Sequence, residues 1–338
     1  RARKFSESPR RWVTYRLKKL VLTILVIVAI AAMRSFMAPT DGESVRNVAV
    51  PLGVLLQGLE QRMPVLSLVV WAVMIFIAGI NTGRYGVKYS LYPAYTLMAI
   101  PVFGIVAAGV MVSHDYLVTA ASALCGLLSV KYLHRCIMRS GSFADLSLGM
   151  LWIGLLPLLF VPAAVMAYVV VPVLVLVVRP SWRDWVVAVA SLLLPLAAVC
   201  YVGWCRGGDF TAPVTALYDA FMTPSGFEFF ASTNPAGILL LGVLIVMVVC
   251  SASLVVSDKY SLKVKARAAM RFNALLVVAC AGMFFVPSCT STVFVLAAVP
   301  AAMLLPLMFV RMGVGFTETL YRLALLFAAA NTAVMFFL

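Results

Sequence analysis

The chain has 338 residues, of which 64% are hydrophobic and only 11% charged, with a formal net charge of +14. Soluble domains carry about a quarter charged residues and about half apolar ones, so this chain lacks the polar groups to cover a water-facing surface and its composition fits lipid instead. The basic excess does not mark a nucleic-acid binder: it sits in short segments between apolar runs, where it suits an anionic membrane leaflet, and no nucleotide-type glycine loop accompanies it.

In lipid the backbone must satisfy its own hydrogen bonds, which leaves helices or closed barrels. A barrel strand alternates apolar and polar residues; "LVLTILVIVAIAAM" (20–33) does not alternate. The expected fold is an all-α polytopic membrane bundle of about eleven transmembrane helices in one domain (20–338), preceded by a basic segment (1–19). A crossing takes about 20 apolar residues, fewer inside a bundle. The expected spans are 20–37, 64–80, 91–113, 116–133, 143–160, 162–178, 185–203, 235–257, 273–287, 292–310 and 321–338.

In chain order, residues 1–19 carry eight basic residues and one acid. After the first span comes "RSFMAPTDGESVRNVAVPLGVLLQGLEQRMP" (34–64): Arg34 at the membrane edge, Asp41 and Glu43 in a turn around Gly42, then a stretch with apolar residues on one side that reads as a helix lying at the interface. "GRYG" (83–86) reads as a turn. The run 143–178 is too long for one crossing at about 1.5 Å per residue, and Pro157 with Pro162 marks a hairpin within it. "VVRPSWRDWVV" (177–187) is a short turn: Arg179 and Arg183 reach lipid phosphates, Trp182 and Trp185 suit the headgroup zone, Pro180 stops one helix and Ser181 caps the next. The segment 204–234 holds Arg206, Asp209, Asp219 and Glu228 among several phenylalanines, a mixture that suits sugar or headgroup binding and equally an interfacial anchor. Lys259, Lys263, Arg267 and Arg271 recur every four residues, one helical stripe that continues the 235–257 helix and suits anionic lipid or an acidic partner. "PSCTST" (287–292) is a second fold point, and the last span holds Asn331.

Alternating the spans from a cytoplasmic N-terminal segment puts 22 of the 26 basic residues inside and leaves Arg34, Arg46, Arg62 and Arg206 outside, with seven of the twelve acids. That separation is what the positive-inside rule requires, and it predicts an N-in, C-out topology. The seven cysteines form no C-x-x-C pair and only two histidines exist, His114 and His134; no metal site is expected and no cofactor can be named.

The order "VKYSLYPAYTLMAIPVF" (87–103), "GSFADLSLGMLWIGLLPLLFVPAAV" (141–165), "VVRPSWRDWVVAVASLLLPLA" (177–197) and "KVKARAAMRFNALL" (263–276) resembles a family of multispanning inner-membrane proteins of Bacteroidota that has no established activity. The shared features are a Tyr/Phe-Pro step in an early span, a Phe-Asp-like step before a paired hairpin, here "FAD" (143–145), and a Trp-Arg pair, here Trp182-Arg183. The resemblance implies an inner-membrane location and carries no reaction. The layout of 34–64 resembles, more loosely, multispanning glycosyltransferases that use polyprenyl-phosphate sugars, in which an acid of the first outside loop acts as base or metal ligand. That resemblance implies catalytic roles for Asp41 and Glu43, with Arg34, Arg206 and Asp209 binding the substrate or its lipid phosphate. A carboxylate can take the proton of an acceptor hydroxyl and an arginine can hold a phosphate.

Three function classes follow. One is a polyprenyl-linked glycan transferase with its site outside the cytoplasm. The second is a non-catalytic subunit of an envelope-assembly complex, with other membrane subunits as partners. The third is a transporter, which the scarcity of charge in mid-span disfavours.

Overall fold

The computed structural model describes residues 23–33, 51–92, 96–139, 142–169, 181–225, 227, 229, 233–257 and 263–337. Among them there are thirteen α-helices and no strand. The first is α1 (Thr23–Met33), followed by α2 (Pro51–Arg62), α3 (Pro64–Lys88), α4 (Ala99–Gly109), α5 (Tyr116–Arg139) and α6 (Phe143–Leu155). Then come α7 (Trp182–Cys205), α8 (Ala212–Met222), α9 (Pro235–Ser257), α10 (Val264–Gly282), α11 (Thr292–Leu304), α12 (Pro306–Arg311) and α13 (Val314–Phe337). Each of the eleven expected apolar runs contains a helical segment. Six helical stretches are long and apolar enough to cross a membrane: α3, α5, α7, α9, α10 with its 3-10 extension to Phe285, and α11 with α12.

The run 143–178 is not one continuous α-helix: α6 tightens into a 3-10 turn at Leu156–Leu158 around Pro157, and a second 3-10 stretch, Val161–Val169, has Pro162 as its second residue, while 170–178 lie outside the described residues. Two local expectations are overturned. "GRYG" is not a turn but the last part of α3, because its glycines admit close neighbours: a Cβ at Gly86 would lie 2.7 Å from the Tyr92 ring and one at Gly83 2.8 Å from Ile100. Most of the basic stripe belongs not to the 235–257 helix but to a separate one: Lys263 is the N-cap of α10 and Arg267 and Arg271 lie on its first turns, while Lys259 lies outside the described residues.

Helix α11 is the centre of the bundle, buried at every position but the half-buried Ala297, with α4, α5 and α10 packed around it. The ring contact Trp71–Tyr116 ties the starts of α3 and α5, and Tyr89–His134 ties their ends, so the two run parallel. Thr292 meets Thr119 at 3.3 Å, which sets α11 parallel to both. Lys265 donates to the Met138 carbonyl at 2.7 Å, so α10 runs the other way. Close approach comes from small residues. Gly149 leaves room for Leu133 of α5, and Gly154 lies against the Leu192 carbonyl of α7, where a Cβ would overlap it. Ser147 and Ser191 then hydrogen bond at 2.8 Å across the α6–α7 contact. On α13, Asn331 donates to the Gly109 and Val110 carbonyls at 3.1 and 3.0 Å, satisfying acceptors that the end of α4 leaves open.

The perimeter is apolar. Val65, Leu66, Val69, Val73 and Phe76 of α3 are all exposed, as are Leu193 and Leu194 of α7 and Val278 of α10. In water such contiguous patches are rare; toward hydrocarbon they are the expected exterior.

The packing therefore defines two ends. One gathers α2, the segment 111–116, Ser225 and Cys289–Thr292. The other gathers Tyr89, the end of α5, the starts of α6, α7 and α10, and the Tyr92–Met303 hydrogen bond of 2.7 Å. The cations Arg135, Arg139, Arg183, Lys263, Lys265 and Arg267 belong to this second, basic end.

Candidate functional site

At the first end, α2 packs with its polar side inward. Gly53 is buried and Gln57 and Glu60 are half-buried, four and seven residues on along one helical face, whereas Val54, Leu55 and Leu59 are exposed. Leu52 and Leu56 also pack inward, so α2 buries a mixed face and turns Val54, Leu55 and Leu59 outward, toward lipid. The inward face meets the start of α5. Glu60 accepts from the backbone N–H of Tyr116 at 2.9 Å and of Leu117 at 3.2 Å. The first N–H groups of a helix have no intrahelical acceptor and lie at its positive pole, so a carboxylate from another helix caps α5.

Asp115 occupies the position that would ordinarily cap α5 itself. Its carbonyl accepts from Thr119 at 3.0 Å, as an N-cap residue's does, but Glu60 takes the side-chain role. The Asp115 carboxyl accepts from Gln57 Nε2 at 3.4 Å. Burial, reinforced by the Glu60 charge and only partly offset by Gln57, pushes the Asp115 carboxyl up to about 6. Burial raises Glu60 too, against the lowering effect of its two N–H donors, and burial lowers His114. His114 Nδ1 and the Tyr116 hydroxyl lie 3.4 Å apart. Behind them the hydroxyls of Ser113, Thr119 and Thr292 form a buried chain, with Thr292 3.4 Å from Ser113. Two carboxyls, an imidazole, an amide and a phenol therefore stand together, one of the acids poised to exchange protons near neutral pH.

Of the residues expected from sequence, Arg34, Asp41, Glu43, Arg179 and Lys259 lie outside the described residues. Arg206 is the C-cap of α7 and Asp209 follows the left-handed Gly207 (φ 84°); both side chains are exposed. Arg183 is exposed in the first turn of α7, next to a capping box in which Asp184 accepts from the Ser181 N–H at 2.9 Å and hydroxyl at 2.8 Å. Lys263 and Arg271 are exposed and Arg267 is half-buried, so these three share a face of α10 as their spacing requires. Among the described residues no group of three or more His, Cys, Asp or Glu side chains is placed to hold a metal ion.

Sequence reasoning gave no site role to Gln57, Glu60, His114, Asp115 or Tyr116. One signal was available: Gly53, Gln57 and Glu60 line one face of a helix whose other face is aliphatic, which marks the polar face as the protein-facing one when the solvent is lipid. The class these features define is a helical membrane protein with a cluster of cations at one end and the Glu60–Asp115 carboxylate site at the other. No protein family matches the chain, and neither a curated protein nor a solved structure is similar to it.

Proposed function

We propose that this is a multi-pass protein of the bacterial inner membrane, with eleven crossings, a cytoplasmic segment before the first and its carboxylate-bearing end outside the cytoplasm. There it transfers a glycan from a polyprenyl-phosphate carrier. The observation that carries the reading is the Glu60–Asp115 pair over the start of α5: a half-buried acid held near neutral pH, on the end opposite the cations. A general base works best with a pKa close to the operating pH. In the proposed step the acceptor hydroxyl oxygen attacks the anomeric carbon of the carrier-linked sugar. The bond from that carbon to the phosphate oxygen breaks, the electron pair leaves with the polyprenyl phosphate, and the acceptor proton passes to Asp115. Asp41 and Glu43 add carboxylates to this end, and Arg34 with Arg206 and Asp209 forms the approach for donor and acceptor. At the basic end Arg179, Arg183, Lys259, Lys263, Arg267 and Arg271 contact the anionic leaflet. Cations at the start of a helix oppose its dipole, so Lys263 and Arg267 on α10 serve something other than helix stability.

The test uses the purified chain in nanodiscs with a polyprenyl-phosphate sugar and a hydroxyl-bearing acceptor, followed by mass spectrometry of the carrier lipid. Turnover that falls at least a hundredfold in Asp115→Asn supports the reading. Equal turnover by that variant sinks the role of Asp115. No turnover by the wild-type chain favours the subunit reading, which Glu60 supports by devoting both oxygens to capping α5. Reporter fusions after Lys88, Arg183 and Ala231 should read inside, inside and outside.

A further inference from the structure

Helix α8 joins two points at the same end of the bundle. It enters from the end of α7, where the chain reverses at Gly207 in the left-handed conformation (φ 84°). The N–H of Gly208 donates to the Gly203 carbonyl at 3.1 Å, and Pro213 comes back over Gly203, where a Cβ would lie 3.8 Å from its ring. The chain then leaves α8 for the turn before α11. There the N–H of Ser225 donates to the Pro287 carbonyl at 3.0 Å, and its hydroxyl donates to the Cys289 carbonyl. A helix of 11 residues is about 16 Å long, roughly half the hydrocarbon thickness of a bilayer. Tied at both ends to one end of the bundle, α8 runs across that end and not through the membrane.

Around α8 the residues fall into three sectors, since successive positions turn by about 100°. Leu217, Ala220 and Phe221 share the inner side, packed against Leu158 and Val161 of the two 3-10 segments. Next around the helix come Val214, Tyr218 and Met222, which are 43%, 61% and 51% exposed. Beyond them lie Thr215 and Asp219, also exposed. The order is protein, then apolar, then polar.

A helix in bulk water has no reason to expose a continuous apolar stripe, and one sunk in hydrocarbon has none to expose a carboxylate. A helix lying on a bilayer accounts for all three sectors: one side rests on the protein, one dips toward the acyl chains and one faces water. The apolar stripe also adjoins surface already turned to lipid. Tyr201, Val202 and Trp204 in the last turns of α7 are exposed, with the Tyr201 and Trp204 rings 6.2 Å apart, and exposed aromatic rings collect at headgroup level. The small cluster beneath α8 takes Leu52 from α2 as well, the other helix at this end with outward apolar residues.

We infer that α8 is a membrane-surface helix, seated in the headgroup zone at the end that holds Glu60 and Asp115. Val214, Tyr218 and Met222 reach the acyl-chain boundary, and Thr215 and Asp219 stay in water. Its partner is the bilayer itself, held by apolar burial. Charge does not hold it: Arg206, Asp209 and Asp219, exposed along this segment, sum to one negative charge, which an anionic leaflet does not attract. The assignment is independent of the transfer proposed for this end.

The test places single nitroxides at positions 214, 215, 218, 219 and 222 of the full chain in phosphatidylcholine nanodiscs. The background is Cys205→Ser with Cys250→Ala, because these two cysteines are not buried. All five labelled positions are exposed, so the labels displace no core. Oxygen concentrates in hydrocarbon and a nickel chelate in water, so the ratio of their collision rates reads depth. That ratio should be severalfold higher at 214, 218 and 222 than at 215 and 219, and high salt should leave it unchanged. A ratio that does not alternate along the five positions would put α8 wholly in water or wholly in hydrocarbon. Low collision rates with both reagents at 214, 218 and 222 would mean that another protein surface, such as a second copy of the chain, covers the stripe. Either result overturns the assignment.

Discussion

Replacing Asp115 with asparagine should make the protein more stable and less active. The reason is electrostatic. The carboxyl's ordinary value of 3.8 is pushed up to about 6, first by burial and then by the Glu60 charge. A group whose folded value is raised binds its proton more tightly in the fold than in the unfolded chain. Its favourable contribution is complete below 3.8 and is lost as pH rises through about 6. The two values differ by roughly two pH units, and one unit corresponds to about 1.4 kcal/mol, so ionising Asp115 at pH 7.5 costs the fold about 3 kcal/mol.

Asparagine keeps the shape and the Oδ1 acceptor for Gln57 and removes the ionisation. The variant should gain up to about 3 kcal/mol at pH 7.5 and little at pH 4. For a chain of this size that is a rise of several degrees in apparent melting temperature, read by tryptophan fluorescence in detergent at a fixed scan rate. Glu60→Gln should shrink the gain, because the Glu60 charge is one source of the penalty, so the two substitutions should not add. A residue retained for stability loses stability when replaced; one retained for chemistry often releases strain. If Asp115→Asn melts below wild type at pH 7.5, or the difference does not change between pH 5 and 7.5, the carboxylate is a structural partner and the argument fails.

Three substitutions test the fold. Ser90→Gly should stabilise the end of α3 by about 1 kcal/mol by relieving the left-handed conformation of Ser90 (φ 48°), visible as slower hydrogen exchange at Ser90–Tyr92. Gly154→Val should place a side chain on the Leu192 carbonyl and separate α6 from α7, so expression of folded protein, followed by size-exclusion chromatography, should fall sharply; an unaffected elution profile would mean the helices adjust freely. Asn331→Leu should leave the Gly109 and Val110 carbonyls without their donor and destabilise by about 1 kcal/mol, within the range measured for hydrogen bonds between membrane helices.

The sequence made the apolar runs visible because lipid demands long uninterrupted hydrophobic stretches, and it made their sorting visible because cations collect on one side. Both signals are local. The carboxylate site is not: Glu60 and Tyr116 are 56 positions apart, and only the docking of α2 against α5 brings them together. From sequence alone Asp115 is only an acid near the end of a span. What sequence cannot reveal is that Glu60 takes over the cap, leaving Asp115 half-buried. The "GRYG" stretch misled for a related reason. Paired glycines suggest a turn in water, but in a membrane bundle they also mark places where a helix continues and a neighbour comes close, as Tyr92 does at Gly86.

The two ends should work independently. Helix α5 joins them, and its 24 residues span about 36 Å at 1.5 Å per residue. Alongside it, the central α11 carries one polar residue, Thr292, at its start; every later position is apolar and, apart from the half-buried Ala297, buried. No polar chain along α11 therefore links Asp115 to Arg139; the buried polar residues of α5 between them are Thr119, Ser122, Ser129 and His134, and Ser129 donates within its own helix to the Gly126 carbonyl. Sites that far apart with no shared partner usually respond additively. Arg139→Gln should thus leave the pH dependence of melting that Asp115 imposes intact. Loss of that dependence in Arg139→Gln would mean that α5 shifts as a rigid rod between two arrangements. In that case the transporter reading, in which both ends report one motion, would displace the transferase.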